Sequence, residues 1–455
     1  MNESSNLSRR SFLAAAALPV AMPTALPVGT AMGMTLPTSP FLRLGEADFM
    51  ARMPRAPLGT PEDAARDEDY WGQIAQMFTM DRSVVNLNNG GVSPSPGVVQ
   101  EAMKRHLDFS NSTPPPVALW QILEPRKEGV RERIARHWGV DAEEIAITRN
   151  SSESLQTCQL GIDLRAGDEI LTTNQDYPRM LTTFKQRERR EGVKLTTISL
   201  PVPCEDDAEV VRRFESAITA RTRLILMCHV VNITGQVLPV KRVVEMARAR
   251  GVPVIVDGAH ALAHFTFKIP DLNCDYYGVS LHKWLFAPHG TGLLYVRRDK
   301  IKGLWPMMAA PDSMDDDIRK FEEIGTHPAA NFVAIGDALT FHQAIGDERK
   351  EARLRYLRDM WAAGLRDALG SRVVMRTSLN PRYSCGIGVV DIDGLDPAKL
   401  SSWLWNKRRI LVTPIVHDEF KGIRVTASVY TTPEEVGRFV DAVNVAARDG
   451  IEETN

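Results

Sequence analysis

Five short apolar runs, each parted from the next by a longer amphipathic stretch, constrain this chain more than any other feature. They lie at 144–148, 169–172, 195–198, 224–227 and 254–256. Runs this short, rich in Val, Ile, Leu and Thr, predict β-strands. Segments 209–220 and 240–250 carry apolar residues at helical spacing and predict helices between them. Strands alternating with helices imply an α/β architecture, a mostly parallel sheet covered on both faces. In such sheets ligands collect beyond the carboxyl ends of the strands. After about residue 311 the pattern shifts to a long charged helix over 348–369 and short strands at 387–392, 410–413 and 423–427. We read 86–310 as a large domain and 311–455 as a smaller C-terminal α+β domain. A chain of 455 residues exceeds what one core usually serves.

The N-terminus stands apart. Ser8-Arg9-Arg10-Ser11-Phe12-Leu13 precedes Ala14-Ala15-Ala16-Ala17-Leu18 and an apolar stretch punctuated by Pro19, Pro23, Pro27, Gly29 and Gly33. A twin arginine before a moderately apolar segment reads as a twin-arginine (Tat) signal over 1–36, with cleavage near Ala31. It implies passage through the Tat translocase and a periplasmic destination. The prolines, the glycines and the short apolar core argue against a stable membrane anchor. Residues 37–85, Pro-rich and then acidic, predict an arm and a first helix lying on the large domain.

A net charge of −2 gives no electrostatic case for nucleic acid. The run Arg187-Glu188-Arg189-Arg190 predicts a solvated helix face. The five cysteines, Cys158, Cys204, Cys228, Cys274 and Cys385, form no CxxC and no zinc-ligand spacing, so no metal site is expected. They are expected as buried small hydrophobes.

Two strand ends carry the chemistry. Val254-Ile255-Val256-Asp257 delivers a carboxylate at the end of a buried strand. The apolar stretch 276–281 then delivers Ser280-Leu281-His282-Lys283. A carboxylate for a pyridinium nitrogen, hydroxyl and imidazole groups for a phosphate, and an amine for an aldehyde together describe a pyridoxal 5′-phosphate (PLP) site. Lys283 sits in an apolar, Trp-flanked run, where burial lowers an amine's pKa and favours its nucleophilic form.

From Asn86 onward the chain resembles fold-type I PLP enzymes of the class V aminotransferase family, in the isopenicillin N epimerase-like branch. Cysteine desulfurases resemble it more distantly. The resemblance implies that Asp257 pairs with the pyridine nitrogen and that Lys283 bonds the cofactor and moves the substrate's proton. Ser280, His282, Ser151 and Ser152 match the family's phosphate ligands. Taken alone, Ser151-Ser152-Glu153 reads as an ordinary helix N-cap, and relatives usually place Thr-Glu there. Tyr177 matches the aromatic residue stacked on the cofactor ring, while Asn232 and His260 match groups near its phenolic oxygen. Thr326, after Gly325, resembles the threonine that reaches a neighbouring subunit's phosphate, which implies a homodimer. Arg424 matches the arginine that clamps the substrate α-carboxylate, a task suited to its bidentate, permanent charge.

The implied enzyme acts at the α-amino carbon of an amino acid or an amino-acid-containing metabolite. Segment 412–423 lacks the nucleophilic Cys that a desulfurase needs, and Cys385 precedes an apolar strand and reads as core. An aminotransferase-type reaction is the expectation, with an epimerase of the isopenicillin N epimerase type or a PLP-dependent lyase as alternatives. Epimerisation usually calls for a second acid/base, for which Tyr177, His264 and His417 are candidates by residue type. The export signal makes the tailoring of a secreted metabolite, such as the siderophore pyoverdine, an attractive role by analogy with exported relatives. A non-catalytic PLP-binding protein would have no need to retain Asp257, Lys283 and Arg424 together.

Overall fold

Seven strands form the central sheet: β2 (Ile145–Thr148), β3 (Glu169–Thr173), β4 (Lys194–Ile198), β5 (Thr222–Cys228), β6 (Val254–Asp257), β7 (Tyr276–Ser280) and β8 (Gly292–Val296). Their order is β2-β8-β7-β6-β5-β3-β4, with all pairs parallel except the two made by β8. The computed structural model describes residues 51–112 and 114–451. The export signal and the first part of the arm lie outside the described residues.

Apart from the half-exposed edge strand β4, both faces of this sheet are buried, and the side-chain alternation shows how. Ile145, Ile225, Met227, Val254 and Val256 pack in one core with Ile134, Phe214 and Val243 from the helices Glu124–Trp138, Asp207–Ala217 and Val240–Arg248. Ala146, Leu224, Leu226 and Ile255 face the other way, onto Leu155 and Phe184 of the helices Ser151–Gly161 and Pro178–Glu191. A strand buried on both sides has no polar face to keep, so it reads as a continuous apolar run. The predicted strands therefore appear within one or two residues of their expected bounds.

The C-terminal part builds a four-stranded antiparallel sheet, β12-β13-β10-β9, from β9 (Val373–Met375), β10 (Ile387–Ile392), β12 (Thr413–Val416) and β13 (Lys421–Thr426). Its core joins Val390, Ile423 and Val425 to Trp361 and Leu365 of the helix Asp347–Leu369 and to Phe439 of Pro433–Asp449. The strand expected at 410–413 is two pieces. Ile410–Leu411 (β11) pairs in parallel with Val85–Asn86 (β1), and Thr413 starts the separate β12. This pairing ties the segment entering the large sheet to the smaller one.

Three further expectations meet the structure. The five cysteines are buried free thiols. Helices Pro61–Ala64 and Glu68–Gln76 form within the expected arm, and Tyr70, Trp71 and Ile74 share a core with Phe286, Phe341 and Tyr430. The solvated face expected at 187–190 is corrected. Arg187 is buried, donating to Gln159 O (2.6 Å) and Ile162 O (3.0 Å), because its helix lies against the end of Ser151–Gly161. Arg189 and Arg190 do face solvent. Among the described residues no helix is long and apolar enough to cross a membrane.

Gly258 shows how tightly the strand end is held. A Cβ there would lie 2.1 Å from the Tyr277 ring on the adjacent strand. Gly258→Ala is expected to cost about 1–3 kcal/mol, the range for overpacking, read as a lowered Tm. An unchanged Tm would show that the turn after Asp257 gives way easily.

Candidate active site

Parallel pairing of β6 and β7 sets Asp257 opposite Gly278 and so brings the ends of both strands to one edge of the sheet. A cavity of about 580 Å³ opens there. Its walls include Ser151, Ser152, Tyr177, Asn232, Asp257, His260, Ser280, His282, Lys283 and Arg424. Ten of the positions expected from the sequence, drawn from across the chain, thus meet around one space.

Asp257 is 6% exposed, and its Oδ1 accepts from Ala259 N at 3.0 Å. Burial pushes its carboxyl up to about 6, against the pull of the Ala259 N–H and the Lys283 charge. Lys283 lies in the loop after β7. Burial pulls its amine down to about 8, although Asp257 favours the charged form. Its Nζ is 3.1 Å from His260 Nε2. Burial and the adjacent Lys283 hold His260 well below the usual imidazole range, so the ring is neutral and accepts from the amine.

The loop after Lys283 is pinned from below. Phe286 adopts a left-handed φ of 61°, unusual for a bulky residue. The fully buried Lys350 sits 4.0 Å from its ring and donates to Trp284 O. His264 stacks on Trp284 at 3.7 Å between ring centroids, pairs with His260 O (2.7 Å) and accepts from Gly386 N (2.8 Å). It braces the site and does not line the cavity. His417 also lies outside it, 3.2 Å from Asn174 O. Of the three acid/base candidates, Tyr177 alone borders the cavity, at its mouth and 39% exposed.

Elsewhere in the wall Ser280 Oγ accepts from Ser151 N and donates to Ser151 Oγ, both at 2.9 Å. Ser151 opens the helix Ser151–Gly161, and the cap is Asn150, whose side chain accepts from Glu153 N at 2.9 Å. Ser151 and Ser152 are therefore first-turn residues and are not the cap itself. His282 Nδ1 is fixed by Thr291 O at 3.0 Å.

Arg424 is held by the second sheet. It lies on β13, between β10 and β12, and is 6% exposed. Its Nη1 donates to Asn232 O (2.8 Å), and its Nη2 donates to Asn88 Oδ1 (2.9 Å) and Thr413 Oγ1 (3.4 Å). Burial pulls it down to about 10, so it keeps its charge at neutral pH. No carboxylate among the described residues pairs with it, and its Nε has no partner. A buried guanidinium without an acid is costly unless something anionic joins it.

The structure does not bring Thr326 to this cavity. It lines a separate surface pocket with Trp120, Glu124 and His327. The wall residues that the sequence reading did not assign to the site include Gly90, Gly91, Arg179 and Thr413. Asn88, which holds Arg424, escapes it too. The signal was the turn-rich run Asn86-Leu87-Asn88-Asn89-Gly90-Gly91 after an apolar pair, which marks a loop entering a crowded site. A Cβ on Gly90 would lie 3.2 Å from Thr426 and 3.5 Å from His260, so a side chain there would crowd the His260 wall.

Comparison with known proteins is consistent with this picture. The aminotransferase class-V sequence profile matches residues 85–439. Isopenicillin N epimerase of Streptomyces clavuligerus is 31% identical over 399 residues, covering 82% of this chain and 98% of that protein. The apo cysteine desulfurase of Thermococcus onnurineus NA1 superposes with a TM-score of 0.73 at 22% identity, over 87% of this chain and 100% of that one. C-DES, solved with glycine covalently linked to a PLP cofactor, gives 0.73 at 22% identity over 81% and 98%. These last two show a shared fold.

Proposed function

The chain belongs to the aminotransferase class-V family of PLP-dependent enzymes, and we propose that it catalyses an aminotransferase-type reaction at the α-amino carbon of an amino acid or of an amino-acid residue in a larger metabolite. The observation that carries this reading is the meeting of Asp257, Lys283 and Arg424 around one cavity.

The cavity fits PLP. Asn232 Oδ1 and His260 Nδ1 are buried in its wall without hydrogen-bond partners, as polar groups awaiting a ligand would be. The hydroxyls of Ser151, Ser152 and Ser280 gather at a helix N-terminus, a natural seat for a phosphate. His282 would join them. Its Nδ1 is engaged by Thr291 O, so its Nε2 donates only when the ring is charged, a state that a dianion favours. When bound, PLP supplies an aldehyde that condenses with amines and a pyridinium ring that withdraws electrons from the amino acid's Cα.

The chain's own groups do the rest. Asp257, ionised at neutral pH, would hold a proton on a ring nitrogen. Lys283, with its proton loosely held, would take the Cα proton and deliver it to the carbon of the cofactor's aldehyde group, the transfer that transamination requires. His260 accepts a hydrogen bond from the Lys283 amine and so orients it. Arg424 receives the substrate carboxylate, and Asn88 and Thr413 fix the plane of its fork. Arg424→Ala is expected to cost about 2–4 kcal/mol, roughly 30- to 1,000-fold in kcat/KM, for α-amino acids. Simple amines without a carboxylate should lose little. Equal losses for both would remove the carboxylate role.

A thiol nucleophile is disfavoured. Cys228 borders the cavity, but burial pushes its thiol well above the usual range. Epimerisation is the second reading, favoured by the 31% identity to isopenicillin N epimerase and by Tyr177 at the cavity mouth. Turnover of L- and D-amino acids in deuterated water separates the two. Transamination yields an oxo acid and the pyridoxamine form of the cofactor. Deuterium entering Cα without any oxo acid overturns it in favour of epimerisation.

The reading extends to assembly and place. Thr326 serves a neighbouring subunit's site in a homodimer, and the Tat signal delivers the folded, loaded enzyme to the periplasm for tailoring a secreted metabolite such as a siderophore. Support for export is the Arg9-Arg10 pair ahead of an apolar stretch. Replacing both arginines by lysine should leave the protein in the cytoplasmic fraction. Undiminished export would exclude this route.

A further inference from the structure

A second polar cluster lies apart from the cavity, and none of its members lines it. His137 sits in the last turn of Glu124–Trp138, His342 in the last turn of Ile335–Ile345, and Asp347 opens Asp347–Leu369. One donor atom from each lies within 4.8 Å of the others. Asp347 Oδ1 is 2.5 Å from His342 Nε2 and 3.2 Å from His137 Nε2.

His342 is 1% exposed; its Nε2 lies against the Asp347 carboxylate, and its Nδ1 has no hydrogen-bond partner. Two imidazole nitrogens and a carboxylate oxygen gathered this closely are a donor set that one cation can share. We propose that His137, His342 and Asp347 bind one divalent transition-metal ion of the zinc type, which pins the ends of three helices together.

The surroundings suit it. Two imidazoles and one carboxylate are ordinary zinc donors, and a water completes a tetrahedron. Donors on a common zinc stand roughly 3.3 Å apart, so the His137–Asp347 spacing already fits and the His342 contact opens by less than about 1 Å. Both histidines lie at helix C-termini, whose dipole ends favour a cation. Gln343 Nε2 is 3.3 Å from His137 Nδ1, and with its amide turned it accepts that N–H and fixes the ligating tautomer. Trp138 covers the site, stacked on His342 at 6.2 Å and edge-on to His137 at 4.6 Å. Lys350 also faces His342, but burial pulls its amine down to about 7 and its Nζ is turned to Trp284 O. Sequence spacing gives no hint of this cluster, since only the fold joins position 137 to positions 342 and 347.

The test uses PLP-loaded protein with any affinity tag removed, stripped with a chelator and titrated with Zn²⁺ alone. One equivalent should bind per chain and raise the Tm by about 2–5 °C, without changing the cofactor's visible band. His342→Ala and His137→Gln should each weaken zinc binding at least about tenfold. If His342→Ala does not fold, the half-buried His137 keeps the test open through His137→Gln. Absence of zinc uptake by the wild type, or equal uptake by His137→Gln, overturns the proposal and leaves the PLP reading untouched.

Discussion

Lys283→Ala is expected to lower the catalytic rate by at least about 10⁴-fold, the upper range for losing a positioned acid/base, because both the bond to the cofactor and the proton carrier go with the amine. The fold should survive, since the side chain faces the cavity and makes one hydrogen bond, to His260 Nε2. Visible spectra of the purified variant check this directly: the band of cofactor bonded to the protein should be gone, while free PLP still associates. Lys283→Arg should not rescue. An arginine keeps its proton at any working pH and can neither form the bond nor act as a base. A variant that retains the band and more than a hundredth of the rate would remove Lys283 from the mechanism.

Asp257→Asn should have the next largest effect. The amide has nearly the carboxylate's shape and can still accept from Ala259 N, so stability changes little. It carries no charge, and the ring nitrogen facing it loses the partner that keeps it protonated. Removing a preorganised charge of this kind costs on the order of 10²–10³ in rate. The pH dependence gives a second reading. Burial raises the Asp257 carboxyl to about 6 in the empty site, and a protonated ring nitrogen beside it pulls that value down again, so the ionised, working form is lost only as pH falls below 6. The rate should fall on the acid side, at a pH below 6, and Asp257→Asn should lack that limb. An acid limb unchanged in the variant would assign it to another group.

How much of this is visible in the chain itself depends on the kind of signal each residue sends. Asp257 and Ser280 end apolar runs, and the doubly buried sheet makes those runs unbroken, so the strand-end chemistry can be read directly. Arg424 reads, by composition alone, as an arginine on an edge strand. It is central because β12 forms beyond it, a strand divided from β11 at Val412 that local propensity does not separate. Asn88 is further still from view. Its value comes from one contact with Arg424, 336 positions away, which only the joining of two sheets creates. Arg187 errs in the other direction. A charged run suggests solvent, but helix packing buries its first member against two carbonyls. Local periodicity reports the elements, whereas contacts between sheets belong to the assembled fold.

The most direct measurement is borohydride reduction of the PLP-loaded enzyme followed by peptide mass mapping. The account predicts a single phosphopyridoxyl adduct, on the peptide bearing Lys283. Lys350 is the instructive competitor, because burial pulls its amine down to about 7 as well, yet it points at Trp284 O and not into the cavity. An adduct on Lys350 or on any other lysine, or none at all, would contradict the assignment of Lys283 and Asp257 to opposite ends of one cofactor.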